Sequence, residues 1–468
     1  MPKNTKIKCV LIIGLGRIGL PQALSFAHAK IKVYGFDQNV EAVDALKAGK
    51  TPFFEPSMAK YLKATIHKTF FPHSSWPDLF KHLFEIDAII FTISTGAPDE
   101  SAIINEKELD FSSYFTLLDI LFAKKTLLKK GIKLIVRTTL PLGGSDKLKE
   151  CIETKYSLRE GKDFYLAFVP ERITEGCAIE ELRTIPKIIG VYSDAAYGPI
   201  AKLFKTAGTK IIRVKNPITA EFCKLTDNSF RSTIFSYSNE IAMYASNFDI
   251  DVKEVIATVN NNYDRNFIPQ PGFVSGYCLS KDPYIFASGY LKRMTGRDFQ
   301  SVWFYGRKTN DYLVEFIAKK VLKQLKDPVN NCVAILGLAF KEDVDDFRIS
   351  HSLKMIESLV QKKIKNIKVY DPYLDRNVYT TLSKEALFNI SEKTNHLTPK
   401  FFANVDAIIV CNQHKALVDL NETKILTKLL QKTKKPCFLY DGFDIWKEAA
   451  NVGHIHYEGF GFKLNSIW

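Results

Sequence analysis

Short unbroken apolar runs, each about strand length, alternate along this chain with stretches in which apolar residues recur every three or four positions. Runs such as VLIIG (10–14) and AIIVC (407–411) read as parallel strands buried on both faces. Segments such as PQALSFAHAK (21–30) and SLKMIESLVQKK (352–363) read as helices with one apolar face. Three strings occur once near each end in the same order: CVLIIGLG (9–16) and CVAILGLA (332–339), IKVY (31–34 and 367–370), and DAII (87–90 and 406–409). A strand–helix–strand pattern in both outer thirds predicts two Rossmann-like, doubly wound parallel sheets, an α/β fold.

The middle third differs. From about residue 216 to 326 the pattern is helical, with AEFCKLTDNSFRSTIFSYSNEIAMYASNF (220–248) free of Pro and Gly. A helix of that length runs about 42 Å, enough to bridge two domains and offer a dimer surface. The Pro- and Gly-rich IPQPGFVSGY (268–277) breaks the pattern and predicts a loop that carries Cys278. The predicted domains are 1–215, 216–326 and 327–468, the first and last Rossmann-like.

Composition narrows the class. A chain of 468 residues with 46% apolar content has material for two or three cores. Its apolar runs fall short of the ~20 residues of a membrane helix, and MPKNTKIKCV has no signal-peptide core, so a cytoplasmic protein without membrane contact is expected. Eight cysteines form no CxxC pair, which suits reduced thiols and suggests no metal site. The net charge of +14, from 65 basic and 51 acidic residues, comes from dispersed lysines without a nucleic-acid-binding signature. A nucleic-acid partner is not expected, and anionic nucleotide ligands account for part of the charge.

GLGRIG (14–19) follows a strand and opens a helix, and Asp37 ends the next strand, 23 residues after Gly14. Gly14 permits the tight turn, Gly16 lets backbone approach a pyrophosphate, and Gly19 lets helix pack on strand; the helix amides at Arg17 and Ile18 face the anion. Asp37 would accept from the adenosine ribose and repel a 2′-phosphate, which favours NAD over NADP. Downstream, Cys278 sits beside Lys281 and Asp282. A thiolate is the strongest nucleophile available near neutral pH, and a neighbouring cation favours it. A thiol in a chain that also binds a nicotinamide points to oxidation of a carbon that becomes attached to sulfur.

Six ordered motifs carry a resemblance over almost the whole chain: GLGRIGLP (14–21), RTTLPLG (137–143), PERITEG (170–176), EFCKLTDNSFR (221–231), NYDRNFIPQPGFVSGYCLSKDP (262–283) and GLAFKEDVDDFRIS (337–350). The chain resembles the nucleotide-sugar 6-dehydrogenases of the UDP-glucose/GDP-mannose dehydrogenase family. The resemblance implies an NAD-binding domain, a central helical dimer core and a C-terminal UDP-binding domain. It also implies four-electron oxidation of the sugar C6 alcohol to the uronic acid, through a thiohemiacetal and a thioester on the cysteine, for surface-polysaccharide precursors.

By the same resemblance Cys278 is the nucleophile. Lys224 and Asn228, four apart on one helix face, stabilise the developing oxyanion. Asp282 and Thr139 hold the hydrolytic water, and Glu171 serves acid/base work or thioester hydrolysis. Thr139 and Arg348 also fall among the implied cofactor contacts. The implied substrate contacts are Arg172, Ile173, Lys224, Asn228, Arg231, Gly272, Phe340 and Lys341, with Arg231 expected on the face of Asn228. Tyr263 and Arg265 resemble a His-Pro-Arg segment of the N-acetylhexosamine branch, whose arginine reaches the neighbouring subunit's site. They favour UDP-N-acetylglucosamine or UDP-N-acetylmannosamine over UDP-glucose or GDP-mannose.

Four positions depart from the family pattern: Arg17 for an aromatic, Ala42 for a basic residue, Ala97 for a threonine, and Ser275 for a glycine. A β-carbon at 275 alters the turn if that position needs a positive φ. Two other readings compete. A two-electron dehydrogenase of the 6-phosphogluconate or hydroxyacid type needs no cysteine and leaves the C-terminal repeat unexplained. A catalytically idle nucleotide-binding protein has no use for the set Cys278, Lys224, Asn228 and Asp282.

Overall fold

The computed structural model describes residues 6–94, 111–248, 250–291, 301–374, 382–422, 425–461 and 463–464. Ala97 lies outside them. The chain forms two compact units, Met1–Asp227 with Ser288–Met294, and Asn228–Ala287 with Thr295–Trp468. The boundary falls within the long helix Pro217–Ala245, so the helical middle contributes to both units.

Unit one is built on an eight-stranded sheet of order β3-β2-β1-β4-β5-β6-β7-β8. Its strands are β1 (Cys9–Ile13), β2 (Lys32–Phe36), β3 (Phe70–His73), β4 (Ala88–Phe91), β5 (Ile132–Val136), β6 (Phe164–Phe168), β7 (Lys187–Val191) and β8 (Ile211–Arg213). All neighbours pair in parallel except β6 and β7. The order reverses direction between β1 and β4, which places the strand ends of that crevice at the usual ligand position of an open α/β sheet. Unit two carries a seven-stranded sheet of order β11-β10-β9-β12-β13-β14-β15. Its strands are β9 (Cys332–Leu336), β10 (Asn366–Tyr370), β11 (Ile390–Thr394), β12 (Ala407–Val410), β13 (Cys437–Asp441), β14 (Ile455–Glu458) and β15 (Lys463–Leu464).

The three repeated strings occupy equivalent strands, β1, β2 and β4 in one sheet and β9, β10 and β12 in the other. β1 and β9 are buried at every residue, which is why the runs contain no polar alternation. The repeat extends to hydrogen bonds. Asp87 Oδ2 accepts from the Cys9 amide at 3.0 Å, and Asp406 Oδ2 accepts from the Cys332 amide at 2.7 Å. The carboxylates after β2 and β10 behave alike, Asp37 Oδ2 accepting from Leu15 N at 2.7 Å and Asp371 Oδ2 from Leu338 N at 2.7 Å.

The helix Pro217–Ala245 confirms the uninterrupted helical segment, one residue longer than four full heptads. The expected cysteine loop ends earlier than its composition suggests. Gly276 closes it, and Cys278 is the second residue of a helix, Tyr277–Leu291, that contains Pro283. Proline at that position removes the amide that would bond the Leu279 carbonyl. The Arg307 guanidinium, on helix Val302–Gln324, donates to that carbonyl instead at 3.3 Å.

Candidate active site

The glycine fingerprint is shaped for a dinucleotide. Gly14 has φ +95°, and a β-carbon there would lie 2.9 Å from the Thr92 carbonyl oxygen. A β-carbon on Gly19 would lie 1.8 Å from the Gly14 carbonyl oxygen, so only glycine lets helix Gly19–His28 start against β1. A β-carbon on Gly16 would meet no protein atom within 4 Å. That open side of the backbone, beside the helix amides, is where a pyrophosphate approaches. Asp37 braces the turn with Oδ2 on Leu15 N and accepts from Asn39 N at 2.9 Å through Oδ1. It is only partly buried, with lone pairs free for ribose hydroxyls. These residues fit NAD, which when bound supplies the hydride acceptor. Arg17, in place of an aromatic, lies over the Phe53 ring at 4.6 Å and pairs with Glu175 at 3.5 Å. The Ala42 amide is used by the Asn39 cap at 3.0 Å.

In the second repeat the equivalent carboxylate is closed off. Asp371 is fully buried, accepts also from Ala339 N at 2.9 Å, and meets His414 Nε2 at 3.1 Å. The dinucleotide chemistry therefore belongs to the first sheet.

Unit one also holds Thr139, Glu171, Arg172, Ile173 and Lys224. Thr139 follows β5 and is buried. Glu171 is buried between Arg137 and Lys187, bonded to the Arg137 Nη2 group and to Lys187 Nζ at 2.9 Å. Its Oε1 accepts further from the amides of Arg172 at 2.8 Å and Ile173 at 3.3 Å. Burial alone would raise its pKa, but the Arg137 and Lys187 charges outweigh that and hold it down at about 2. Near neutral pH Glu171 is therefore an anion, held in place by these partners. Arg172 extends its guanidinium to the Pro186 carbonyl at 2.7 Å. Lys224 is buried on helix Pro217–Ala245, one turn before Asn228, and no hydrogen bond or ion pair ties it to another described residue.

Unit two gathers the cysteine's neighbourhood. Cys278, exposed, occupies the first turn of its helix, where the helix dipole favours a thiolate. Lys281, one turn on, is buried and pairs with Asp282 Oδ1 at 2.8 Å. The other carboxylate oxygen of Asp282, itself wholly buried, accepts from Asn228 Nδ2 at 2.6 Å. Burial would lower the Lys281 pKa, yet the charges of Asp282 and of Cys278 hold it above its ordinary value. The ammonium therefore stays charged and senses the sulfur. The chemistry available is a nucleophilic sulfur, an ammonium, an amide donor and an oriented carboxylate.

The turn before Cys278 is fixed to its surroundings. Asn239, buried on the long helix, grips Gly272 at both its amide (2.8 Å) and its carbonyl (3.0 Å). Gly276 has φ +89°, and a β-carbon there would strike the Phe340 ring at 2.6 Å. The Gly276 amide donates to the Ile349 carbonyl at 3.2 Å. Arg348 lies over the Tyr277 ring at 5.6 Å and bonds Asp346 at 2.6 Å. Lys341 is 3.9 Å from Glu342. Phe340, Lys341 and Arg348 thus belong to one segment packed along the cysteine turn. Ser275 is not in the left-handed region, so its β-carbon is tolerated; its hydroxyl bonds His351.

Three expected residues stand apart. Arg231 is exposed while Asn228 is buried; three residues advance a helix by about 300°, which carries Arg231 past the edge of the buried face. Tyr263 and Arg265 are both exposed, with the Arg265 guanidinium over the Tyr263 ring at 4.5 Å. Sequence reasoning missed Asn239, Arg307, Asp311 and His351. A charged Arg307 and Asp311 one turn apart in a segment otherwise able to bury itself were the available signal.

The chain matches the sequence profile of the UDP-glucose/GDP-mannose dehydrogenase family, NAD binding domain, over residues 8–208. It matches the family's central domain over 218–311 and its UDP binding domain over 334–448. A UDP-N-acetyl-D-mannosamine dehydrogenase of Pyrococcus horikoshii is 30% identical over 97% of this chain and 99% of that protein. An NDP-N-acetyl-D-galactosaminuronic acid dehydrogenase of Ralstonia nicotianae is 26% identical over 78% of this chain and 84% of that protein. The solved structure of UDP-D-ManNAc dehydrogenase from Pyrococcus horikoshii covers 97% of this chain and 99% of its own, with TM-score 0.81 at 27% identity. With a fitted dinucleotide turn, a supported cysteine and profiles matched across all three segments, the chain belongs to the UDP-glucose/GDP-mannose dehydrogenase family and is an NAD-dependent nucleotide-sugar dehydrogenase.

Proposed function

We propose that this chain oxidises the C6 alcohol of a UDP-N-acetylhexosamine to the uronic acid, releasing two NADH per sugar. The observation that carries the reading is Cys278 at a helix N-terminus with Lys281, Asp282 and Asn228 bonded in series behind it. With NAD bound as hydride acceptor, the alcohol would be oxidised to an aldehyde, to which the Cys278 sulfur would add. The thiohemiacetal loses a second hydride and proton to give a thioester, which water cleaves to carboxylate and free thiol. Lys224 and Asn228 steady the oxyanion, and Asp282 with Thr139 orients the water. Residues 1–215 would hold NAD, 216–326 carry the cysteine, and 327–468 hold the uridine nucleotide with Lys341.

The N-acetyl substrate is supported by the mannosamine and galactosaminuronic relatives and by the Tyr263/Arg265 segment. The test is a panel of UDP-GlcNAc, UDP-ManNAc, UDP-GalNAc, UDP-glucose and GDP-mannose with NAD, scored by NADH per sugar. One NADH per sugar would remove the four-electron reading. Turnover confined to UDP-glucose or GDP-mannose would remove the N-acetyl one.

The functional unit is a homodimer on this reading. Phe230, Tyr237 and Tyr244 recur at seven-residue spacing on the long helix, 59%, 55% and 67% exposed. A groove of about 620 Å³ beside them is lined by aromatic and aliphatic side chains, Tyr237, Tyr244, Tyr312 and Phe316 among them, together with the polar Glu240 and Asn247. An aromatic stripe of this kind marks a protein interface. Among the described residues no helix is long and apolar enough to cross a membrane. Sedimentation of Tyr237→Glu/Tyr244→Glu should show monomer where the unmodified chain shows dimer.

A further inference from the structure

Ser275 stands three residues before Cys278, at a position where the family pattern has glycine. Its Oγ meets His351 Nδ1 at 2.8 Å and accepts from the His351 backbone amide at 2.9 Å. His351 is fully buried, with the Phe273 ring against it at 5.7 Å. Its other ring nitrogen, Nε2, lies 3.1 Å from Asp311 Oδ1 and 3.2 Å from Arg307 Nη2. Asp311 in turn receives the Arg307 fork, Nε to Oδ2 and Nη2 to Oδ1, both at 3.1 Å, and Lys354 Nζ at 2.8 Å.

Arg307 closes the circuit. Its Nη1 donates to the Val274 carbonyl at 2.9 Å and to the Leu279 carbonyl at 3.3 Å. Those two carbonyls flank the segment 275–278, and the second is the acceptor that Pro283 leaves open. The guanidinium therefore ties both ends of the cysteine turn, and the Ser275–His351 pair ties its first residue. The anchor on the far side is itself strained: Ile349, whose carbonyl takes the Gly276 amide, has φ +52°. A β-branched residue rarely holds that conformation unless its surroundings enforce it.

We infer that the Ser275–His351–Asp311 chain, clamped by Arg307, is a positioning device that sets the Cys278 sulfur at its attack distance. The inference rests on Cys278 being the nucleophile. Ser275 touches neither ligand in this role; it acts through the turn. Attack needs the sulfur held within a narrow geometry, and a displacement of about 1 Å can cost about 100-fold in rate. The nucleotide contacts expected of Asp37 and Lys341 come from side chains outside residues 274–279, so loss of the tie should fall on kcat far more than on KM.

The test compares the full-length chain with Ser275→Ala, His351→Ala and His351→Asn, the last keeping polar groups near the Nδ1 position. Two readouts are taken: kcat and KM for UDP-sugar and NAD, and the pH profile of iodoacetamide alkylation at Cys278, followed by mass spectrometry of its peptide. Ser275→Ala should lower kcat about tenfold or more with KM within about twofold, and should change the alkylation profile. His351→Asn should retain more turnover than His351→Ala. Unchanged kcat and alkylation in Ser275→Ala overturn the inference, as does a fall in thermal stability with neither moved. Turnover that survives Cys278→Ser is a separate result: it removes the nucleophile reading, while alkylation of Cys278 in the Ser275 and His351 variants still reports whether the tie holds the turn.

Discussion

Asn228 donates its side-chain amide to Asp282 at 2.6 Å across 54 residues of sequence, joining the long helix to the helix that has the cysteine in its first turn. Asp282 keeps its other oxygen on Lys281, so the charge of the carboxylate is balanced by the ammonium and not by Asn228. Replacing Asn228 with Ala should leave the Lys281–Asp282 pair in place and lower kcat about 100-fold, the usual cost of a lost oriented donor. Asn228→Asp should be worse near neutral pH, because two carboxylates would face each other at bonding distance. Its activity should recover as pH falls and one of them protonates, a recovery that Asn228→Ala, which adds no carboxylate, should not show. Parallel pH–rate profiles of the two variants check this.

Cys278→Ser keeps the shape of the helix start and removes the thiolate. Cofactor and UDP-sugar binding should persist in calorimetry, since Asp37 and Lys341 lie in other motifs. Net turnover should fall by orders of magnitude, because a serine hydroxyl without a dedicated base is a poor nucleophile near neutral pH. Near-normal NADH production would make the cysteine a structural residue.

Asp37 serves both the turn and the expected ribose contact. Asp37→Ala should therefore weaken NAD use in two ways, by freeing the Leu15 amide and by removing the acceptor, and should narrow the preference over NADP about tenfold. The ratio of kcat/KM for the two cofactors measures it. Equal ratios before and after substitution would leave Asp37 with the turn alone.

Glu171 gives a stability prediction with a defined pH sign. Its pKa falls from 4.5 to about 2 in the folded chain, so its contribution is complete above about 4.5 and is lost as pH falls toward 2. Glu171→Gln strands the buried Arg137 and Lys187 and should cost about 3–5 kcal/mol, read as a lowered Tm at pH 7. The gap between variant and unmodified chain should close through that acid window. His351, pushed down to about 4 chiefly by burial, adds a second acid-sensitive step, with stability present above 6.5 and declining toward 4.

Much of the fold was legible because burial on both sides of a parallel sheet leaves a local trace. CVLIIGLG and CVAILGLA name β1 and β9 directly, and the three strings in order give the shared strand arrangement β2-β1-β4 and β10-β9-β12. Gly14 and Gly19 were readable for the same reason: a turn that needs positive φ, or a contact with no room for a β-carbon, admits one residue type. The chemical identity of Cys278, Lys281, Asp282 and Asn228 was likewise written in the sequence by residue type and motif.

Tertiary structure decided what each group can do. Nothing in PERITEG says that Glu171 will be held between Arg137 and Lys187, because those partners come from β5's end and β7. Helical spacing placed Arg231 near Asn228, yet which 60° of the helix is covered depends on what packs against it, and the boundary falls between them. The turn-rich composition before Cys278 predicted a loop, and the helix extends through Pro283 because Arg307, 24 residues further on, accepts the task of the missing amide. Local residue types set the strands, the glycine turn and the place of the cysteine. The partners that fix a proton, a charge or a turn come from distant segments, and only their packing determines them.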